Sequence, residues 1–413
     1  MALDLDFVRS QFPAFQSPVL SSHAFFENAG GSYPCVQVVD RLTRFYHDRK
    51  VQPYGPYPGA QAGGAEMDEA RTRLAAMMGV ARQEVSFGPS TSANTYVLAQ
   101  AVRKWLAGGA GQSSGGAVVV TNQDHEANSG VWRRLAEEGI EVREWRLDPA
   151  TGSLRLEALE ALLADGKVKL VCFPHCSNVI AEINDVAAIT ALARAAGART
   201  VVDGVSYAPH GFPDVPALGC DVYLFSAYKT FGPHQGIMVL REAFGMELPG
   251  QAHFFNHGVL YKRHTPAGPD HAQIAACAGM ADYVDALAAR HGLTGDAAAR
   301  NRGVHDLMRA QEMVVIQPLL DYLGGRNDVR LLGPRDATRR APTVAVELDR
   351  VAEPVSEELG RNGIACWAGD FYAVRPLEAL GIDREKGVLR MSAAHYTSAE
   401  DVARLIAALD RVL

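Results

Sequence analysis

With 413 residues, 48% hydrophobic and 21% charged, the chain has the make-up of a soluble globular protein long enough for two domains. A formal charge of −7 without any block of basic residues gives no footing for nucleic acid, and no apolar run approaches the roughly 20 residues that cross a membrane. Six scattered cysteines make no disulfide framework and the acidic start, Met1-Ala2-Leu3-Asp4-Leu5-Asp6, has no basic-then-apolar leader, so we expect a cytoplasmic protein.

In chain order, Phe87-Gly88-Pro89-Ser90-Thr91-Ser92 leads into a predicted helix, Ala93–Leu106. A short Gly/Ser loop spans Gly108–Gly116. From there to Arg241, short apolar runs alternate with amphipathic stretches. The predicted strands are Ala117–Thr121, Glu141–Trp145, Val168–Phe173, Thr200–Asp203, Val222–Ser226 and Gly236–Leu240. Helical patterns lie between them at Asn128–Gly139, Leu154–Ala164 and Ile189–Ala196. Such alternation reads as an α/β fold with a mostly parallel sheet covered on both faces, whose ligand crevice lies at the carboxyl ends of the strands.

After the loop Thr265–Pro269 come a predicted helix Ala272–Ala289 and a segment of different character. It holds a helix Val304–Leu323, a strand Arg340–Leu348, a helix Val355–Asn362 and a strand Val388–Ala393. Thr397, with Glu400 three residues on, predicts the capping box of a last helix. The expected organisation is an N-terminal segment (1–24) packing with the small domain, a large domain (25–290), and a small α+β domain (291–413).

The chemistry concentrates at strand ends. Lys229 follows the apolar run Val222–Ser226, and Asp203 ends the preceding strand. A lysine held at the rim of a sheet is readily desolvated and then forms a Schiff base with an aldehyde. A carboxylate on a neighbouring strand can keep a pyridine nitrogen protonated, so the pair suits pyridoxal phosphate. Taken singly, each residue has a plainer use, as a solvated charge or a helix cap. Ser90, Thr91 and Ser92 at a helix N-terminus suit a phosphate dianion. His125, in Asp124-His125-Glu126-Ala127-Asn128, suits stacking on an aromatic ring and proton transfer, or a solvated helix start. Asn178 could bond a phenolic oxygen or a carboxylate. Arg390 in Val388-Leu389-Arg390-Met391-Ser392 suits a substrate carboxylate or a structural salt bridge. Cys172, His175 and Cys176 lie together, but with no second ligand pair at zinc spacing they read as packing residues, and no metal is expected.

Together these blocks resemble the class V aminotransferase family of fold-type I pyridoxal phosphate enzymes, which includes cysteine desulfurases and selenocysteine lyases. The resemblance runs from Phe25-Phe26-Glu27-Asn28-Ala29-Gly30-Gly31 to the last helix and is most specific from Asp203-Gly204-Val205-Ser206 to Ser226-Ala227-Tyr228-Lys229. It implies that Lys229 carries the cofactor and Asp203 pairs with its ring nitrogen. It also implies that Ser90, Thr91, Ser92, Ser226 and Tyr228 hold the phosphate, and that His125 stacks on the ring. Asn178 would lie near the ring oxygen and substrate, and Arg390 would bind the α-carboxylate. A homodimer with a shared active site is implied as well, the partner's loop Gly268-Pro269-Asp270-His271 reaching the phosphate.

The departures from the family pattern concern chemistry. Desulfurases usually carry glutamine where this chain has Ser206. Their nucleophilic cysteine falls here on Tyr372, with Cys366 six residues earlier. A phenol cannot take up sulfur as a persulfide. The resemblance to the lyase branch still implies carbon–sulfur β-elimination on a cysteine-like or S-substituted cysteine substrate, with Lys229, His125, Asp203 and Tyr372 as the catalytic set. Transamination and epimerisation are the alternatives after α-proton removal. A DNA-binding regulator is disfavoured because the roughly 20 residues before Phe25 cannot hold a helix-turn-helix, and no Gly-x-Gly-x-x-Gly follows the first strands.

Overall fold

The computed structural model describes residues 2–108, 115–266 and 268–413, so residues 109–114 of the Gly/Ser loop and Ala267 lie outside the described residues. The run Ala117-Val118-Val119-Val120-Thr121 is buried at every position, as expected of a strand with both faces covered. It sits in a seven-stranded sheet with the spatial order Val85–Gly88, Gly236–Leu240, Val222–Ser226, Arg199–Asp203, Val168–Pro174, Ala117–Thr121, Glu141–Trp145. The last five of these run parallel, and Gly236–Leu240 runs antiparallel to both its neighbours. Val85–Gly88 therefore points the same way as the five parallel strands. One edge of the sheet thus collects Gly88, Thr121, Pro174, Asp203 and Ser226, together with the start of the antiparallel strand at Gly236.

The strand Val85–Gly88 has no counterpart among the sequence expectations. Its four residues are too few for periodicity to show, and its pairing partner lies 150 residues downstream. Gly236 is needed for that pairing to reach the following helix. A Cβ there would come within 2.3 Å of the Ser90 carbonyl carbon. The predicted helix Ala93–Leu106 begins two residues earlier, at Thr91, with Ser90 as N-cap accepting from Ala93 N–H at 3.1 Å.

A second, wholly antiparallel sheet has the order Trp367–Gly369, Val388–Ser392, Thr343–Leu348, Val329–Leu331. It packs against the helices Ala297–Gly324, Glu353–Arg361 and Ala399–Val412 through a separate hydrophobic cluster that includes Leu319, Val346 and Leu405. The predicted strand Arg340–Leu348 starts only at Thr343. Arg340 is fully buried, and its guanidinium donates to the carbonyls of Leu332, Pro334 and Thr343 instead of standing on a strand face. The predicted box Thr397/Glu400 is displaced by one residue to Ser398/Asp401, because the Thr397 hydroxyl accepts from Ala394 N–H. The predicted helix Ala272–Ala289 is interrupted at Cys277, giving His271–Ala276 and Ala278–Arg290.

The N-terminal helix Leu5–Ser10 makes contacts with both parts of the chain. Val8 and Phe12 join the large hydrophobic cluster with Val38 and Leu287. Arg9 donates to the Tyr396 carbonyl and pairs with Asp401 near the start of the last helix. Among the described residues, no helix is long and apolar enough to cross a membrane.

Candidate active site

The sheet edge described above opens into a narrow cleft of about 110 Å³. Ser90, Thr91, Ser92, His125, Asn178, Asp203, Ser206, Ser226, Tyr228 and Lys229 all line it. These ten residues come from five separate strand ends, and parallel strand direction is what gathers them.

Lys229 follows Ser226 by a single 3-10 turn, Ala227–Lys229, which carries its side chain into the cleft. Burial lowers its pKa to about 8; Arg390 adds to the effect, while Asp203 and Glu27 oppose it. Asp203 is buried, and burial raises its carboxyl above the usual range, against the Val205 N–H that donates to Oδ1 at 2.8 Å and the charge of Lys229. That contact leaves Oδ2 open to a cationic partner in the cleft.

His125 caps the helix Glu126–Arg133, and its Nδ1 accepts from Ala127 N–H at 3.0 Å. The bond assigns the proton to Nε2. Burial, with the charges of Lys229 and Arg390, lowers the pKa to about 4, so the ring is neutral near pH 7. Asp124, just before it, also lines the cleft and was not singled out from the sequence. Its Oδ1 accepts from His125 N–H at 2.9 Å and its Oδ2 from Asn128 Nδ2 at 2.5 Å. Burial and the neighbouring Asp203 charge raise its pKa well above the ordinary value. The only sequence signal for Asp124 was its position directly after a strand and before His125.

At the other end of the cleft, Thr91 Oγ1 and Ser226 Oγ lie 2.7 Å apart. The Ser90 side chain satisfies the third amide of the helix Thr91–Leu106, leaving the N–H groups of Thr91 and Ser92 for an anion. Tyr228 stacks on His234, with ring centroids 5.0 Å apart and planes 7° from parallel. His234 is a second cleft residue that sequence reading passed over.

Arg390 lies beside the cleft in the strand Val388–Ser392 and is buried. Its Nη2 donates to Glu27 Oε1 at 2.7 Å, and its guanidinium carbon lies 3.7 Å from the Phe371 ring centroid. Both Arg390 Nε and Glu27 Oε2 are buried without a hydrogen-bond partner, so the pair makes one bond where a fork could make two. Gly30 makes room for this arrangement, since a Cβ there would meet Glu27 Oε1 at 2.4 Å. Glu27 was absent from the sequence-based site because its partner lies 363 residues away.

The loop Asp370–Ala373 passes over His125. Asn178 Nδ2 donates to the Phe371 carbonyl at 3.0 Å, and Glu126 N–H donates to the Tyr372 carbonyl at 2.9 Å. Phe371 and Tyr372 both have positive φ, 53° and 54°, a strained turn held by these two bonds. The Tyr372 ring lies 5.5 Å from His125 and is 71% exposed, at the cleft mouth and not among the lining residues. Cys366 is partly buried and packs against the hydrophobic cluster of the antiparallel sheet. Burial, with the nearby Glu27 charge, pushes its thiol up to about 12, which makes it a poor nucleophile. His175 and Cys172 are engaged elsewhere. His175 Nδ1 lies 2.8 Å from Tyr223 Oη, and Cys172 is in the apolar core behind the sheet. Among the described residues, no three His, Cys, Asp or Glu side chains form a group able to hold a metal ion. His271 does not join the cleft of its own chain; it opens the helix His271–Ala276 next to Asp270, which borders a neighbouring cleft.

The family model described as Aminotransferase class-V matches residues 24–258 and 285–405. An aminotransferase-like protein of Gibberella zeae is 29% identical over 426 residues, covering 100% of this chain and 99% of its own. A cysteine desulfurase of Serratia proteamaculans is 29% identical over 430 residues, with the same coverage. Among solved structures, an apo cysteine desulfurase from Thermococcus onnurineus superposes with a TM-score of 0.84 at 22% identity, covering 100% of this chain and 98% of that one. The cysteine desulfurase CsdA of Escherichia coli does so at 0.80 and 21%, covering 100% and 99%.

Proposed function

Because this chain belongs to the class V aminotransferase family and is therefore a pyridoxal-phosphate-dependent enzyme, we propose that it is a carbon–sulfur lyase acting by β-elimination on a cysteine-like amino acid. The residues fit the cofactor. Thr91, Ser92 and Ser226 offer amides and hydroxyls to its phosphate, and Gly236 lets that cradle approach the sheet. Asp203 offers a buried carboxylate to the ring nitrogen, His125 a neutral ring to its face, and Lys229 a weakly basic amine to its aldehyde. When bound, the cofactor supplies an electron sink that stabilises negative charge at the substrate Cα.

The chain's own groups then divide the work. Arg390, beside the cleft, receives the α-carboxylate by exchanging its bond to Glu27 for the substrate. Lys229 Nζ, with its lowered pKa, takes the Cα proton as general base. Tyr372, at the cleft mouth beside His125, donates a proton to the departing sulfur. Loss of the thiol followed by hydrolysis leaves pyruvate and ammonia.

The observation carrying this reading is that Lys229 and Asp203 line one cleft at the same sheet edge, on a chain similar to cysteine desulfurases. The exposed phenol at position 372 and the unreactive thiol at 366 argue against a persulfide relay. They support release of free thiol or sulfide. Likeness to the aminotransferase-like protein of Gibberella zeae favours transamination as the second reading.

A panel of amino acids assayed for sulfide, pyruvate and ammonia separates the two. A lyase releases pyruvate without a keto-acid acceptor, whereas an aminotransferase stops after one turnover until an acceptor is added. Lys229→Ala is expected to lower turnover by at least about a thousandfold and to abolish borohydride trapping of the cofactor. Full turnover in that variant would refute the scheme.

A further inference from the structure

We propose that His234 is a further phosphate-binding residue of the cofactor site, supplying an imidazole N–H beside the hydroxyls and amides of the cradle. This rests on the pyridoxal phosphate reading above and deepens it. Among the described residues lining the cleft, Lys229 is the one lysine or arginine, and its amine is committed to the aldehyde end. The phosphate end offers hydroxyls from Ser90, Thr91, Ser92 and Ser226 and the phenol of Tyr228, none of them cationic. A dianion has more acceptor sites than these groups fill, so a further N–H donor at that end is satisfied.

The position of His234 suits that task. It stands two residues before Gly236, where the sheet touches the Ser90–Thr91 backbone. Its ring lies parallel to Tyr228 at 5.0 Å, a contact that restricts its rotation. It also borders a second cleft with Pro89, Ala93, Asn94, His264 and Asp270, which places it beside the first turn of the helix Thr91–Leu106.

The experiment compares two probes that differ only in the phosphate, pyridoxal 5′-phosphate and pyridoxal, titrated into wild-type and His234→Asn protein after cofactor removal. The expected result is a loss of about tenfold in affinity for pyridoxal phosphate, with pyridoxal bound within about twofold of wild type. An equal loss for both probes, or no loss for either, would overturn the assignment. Failure of wild-type protein to give a borohydride-fixed adduct at Lys229 is a separate result, and it would remove the cofactor reading itself.

Discussion

Lys229 follows five buried residues of the strand Val222–Ser226, and a residue delivered there leaves most of its hydration behind. Its ammonium is disfavoured by burial and by Arg390, and Asp203 and Glu27 only partly offset this. The neutral amine is the form that attacks an aldehyde. Capture of pyridoxal phosphate by the cofactor-free protein should therefore quicken as pH rises and level off above about 8. Below that point each pH unit should slow it about tenfold. Stopped-flow absorbance from pH 6 to 9 checks this, and a flat profile would contradict it. His125 should contribute no step in that range, because burial keeps its pKa near 4. Lys229, Asp203 and His125 could be named from the sequence because each follows an apolar run at a strand end. Glu27 and His234 could not, since what distinguishes them is a contact with a residue or a cleft that chain order does not reveal.

Among elements, the antiparallel strand Gly236–Leu240 does the most to shape the site. It joins Val85–Gly88 to Val222–Ser226 and so brings the helix start at Thr91 against Ser226. Close approach at Gly236 is the condition for that contact. Gly236→Ala should push the Ser90–Thr91 backbone away, at a cost of about 1–3 kcal/mol in stability. Its affinity for pyridoxal phosphate should fall as well. Denaturant unfolding and cofactor titration measure the two effects, and an unchanged affinity would show that the cradle tolerates the shift. Element types were mostly legible beforehand, because runs such as Ala117–Thr121 are too apolar to be anything but buried strands. Boundaries were less so. Thr397 and Ser398 are equally good caps on paper, and a tertiary bond from Ala394 N–H to Thr397 decides between them.

At the scale of the whole molecule, one chain brings ten of the expected cofactor residues to one cleft and leaves His271 outside it. We propose, as the family resemblance implies, a dimer in which each subunit lends its Gly268–His271 loop to the other's site. The exposed Phe254 and Phe255, 83% and 70% accessible, add apolar surface for such a contact. Mixing refolded Lys229→Ala and His271→Ala chains tests it. Half of a random mixture is hybrid, and each hybrid has one intact site, so activity should return to about a quarter of wild type. No recovery, or a monomer by sedimentation, would dismiss the shared site.

The sequence by itself determined the α/β class, the strand ends that carry Lys229, Asp203 and His125, and the family to which they point. Those features are local: an apolar run specifies a buried strand, and a polar residue just beyond it must sit at the rim. Only the tertiary structure decided that Arg390 is already paired with Glu27 and that Tyr372 stands beside His125 at the mouth of the cleft. Burial and charge pairing depend on residues hundreds of positions apart, and no local pattern encodes which of them will meet.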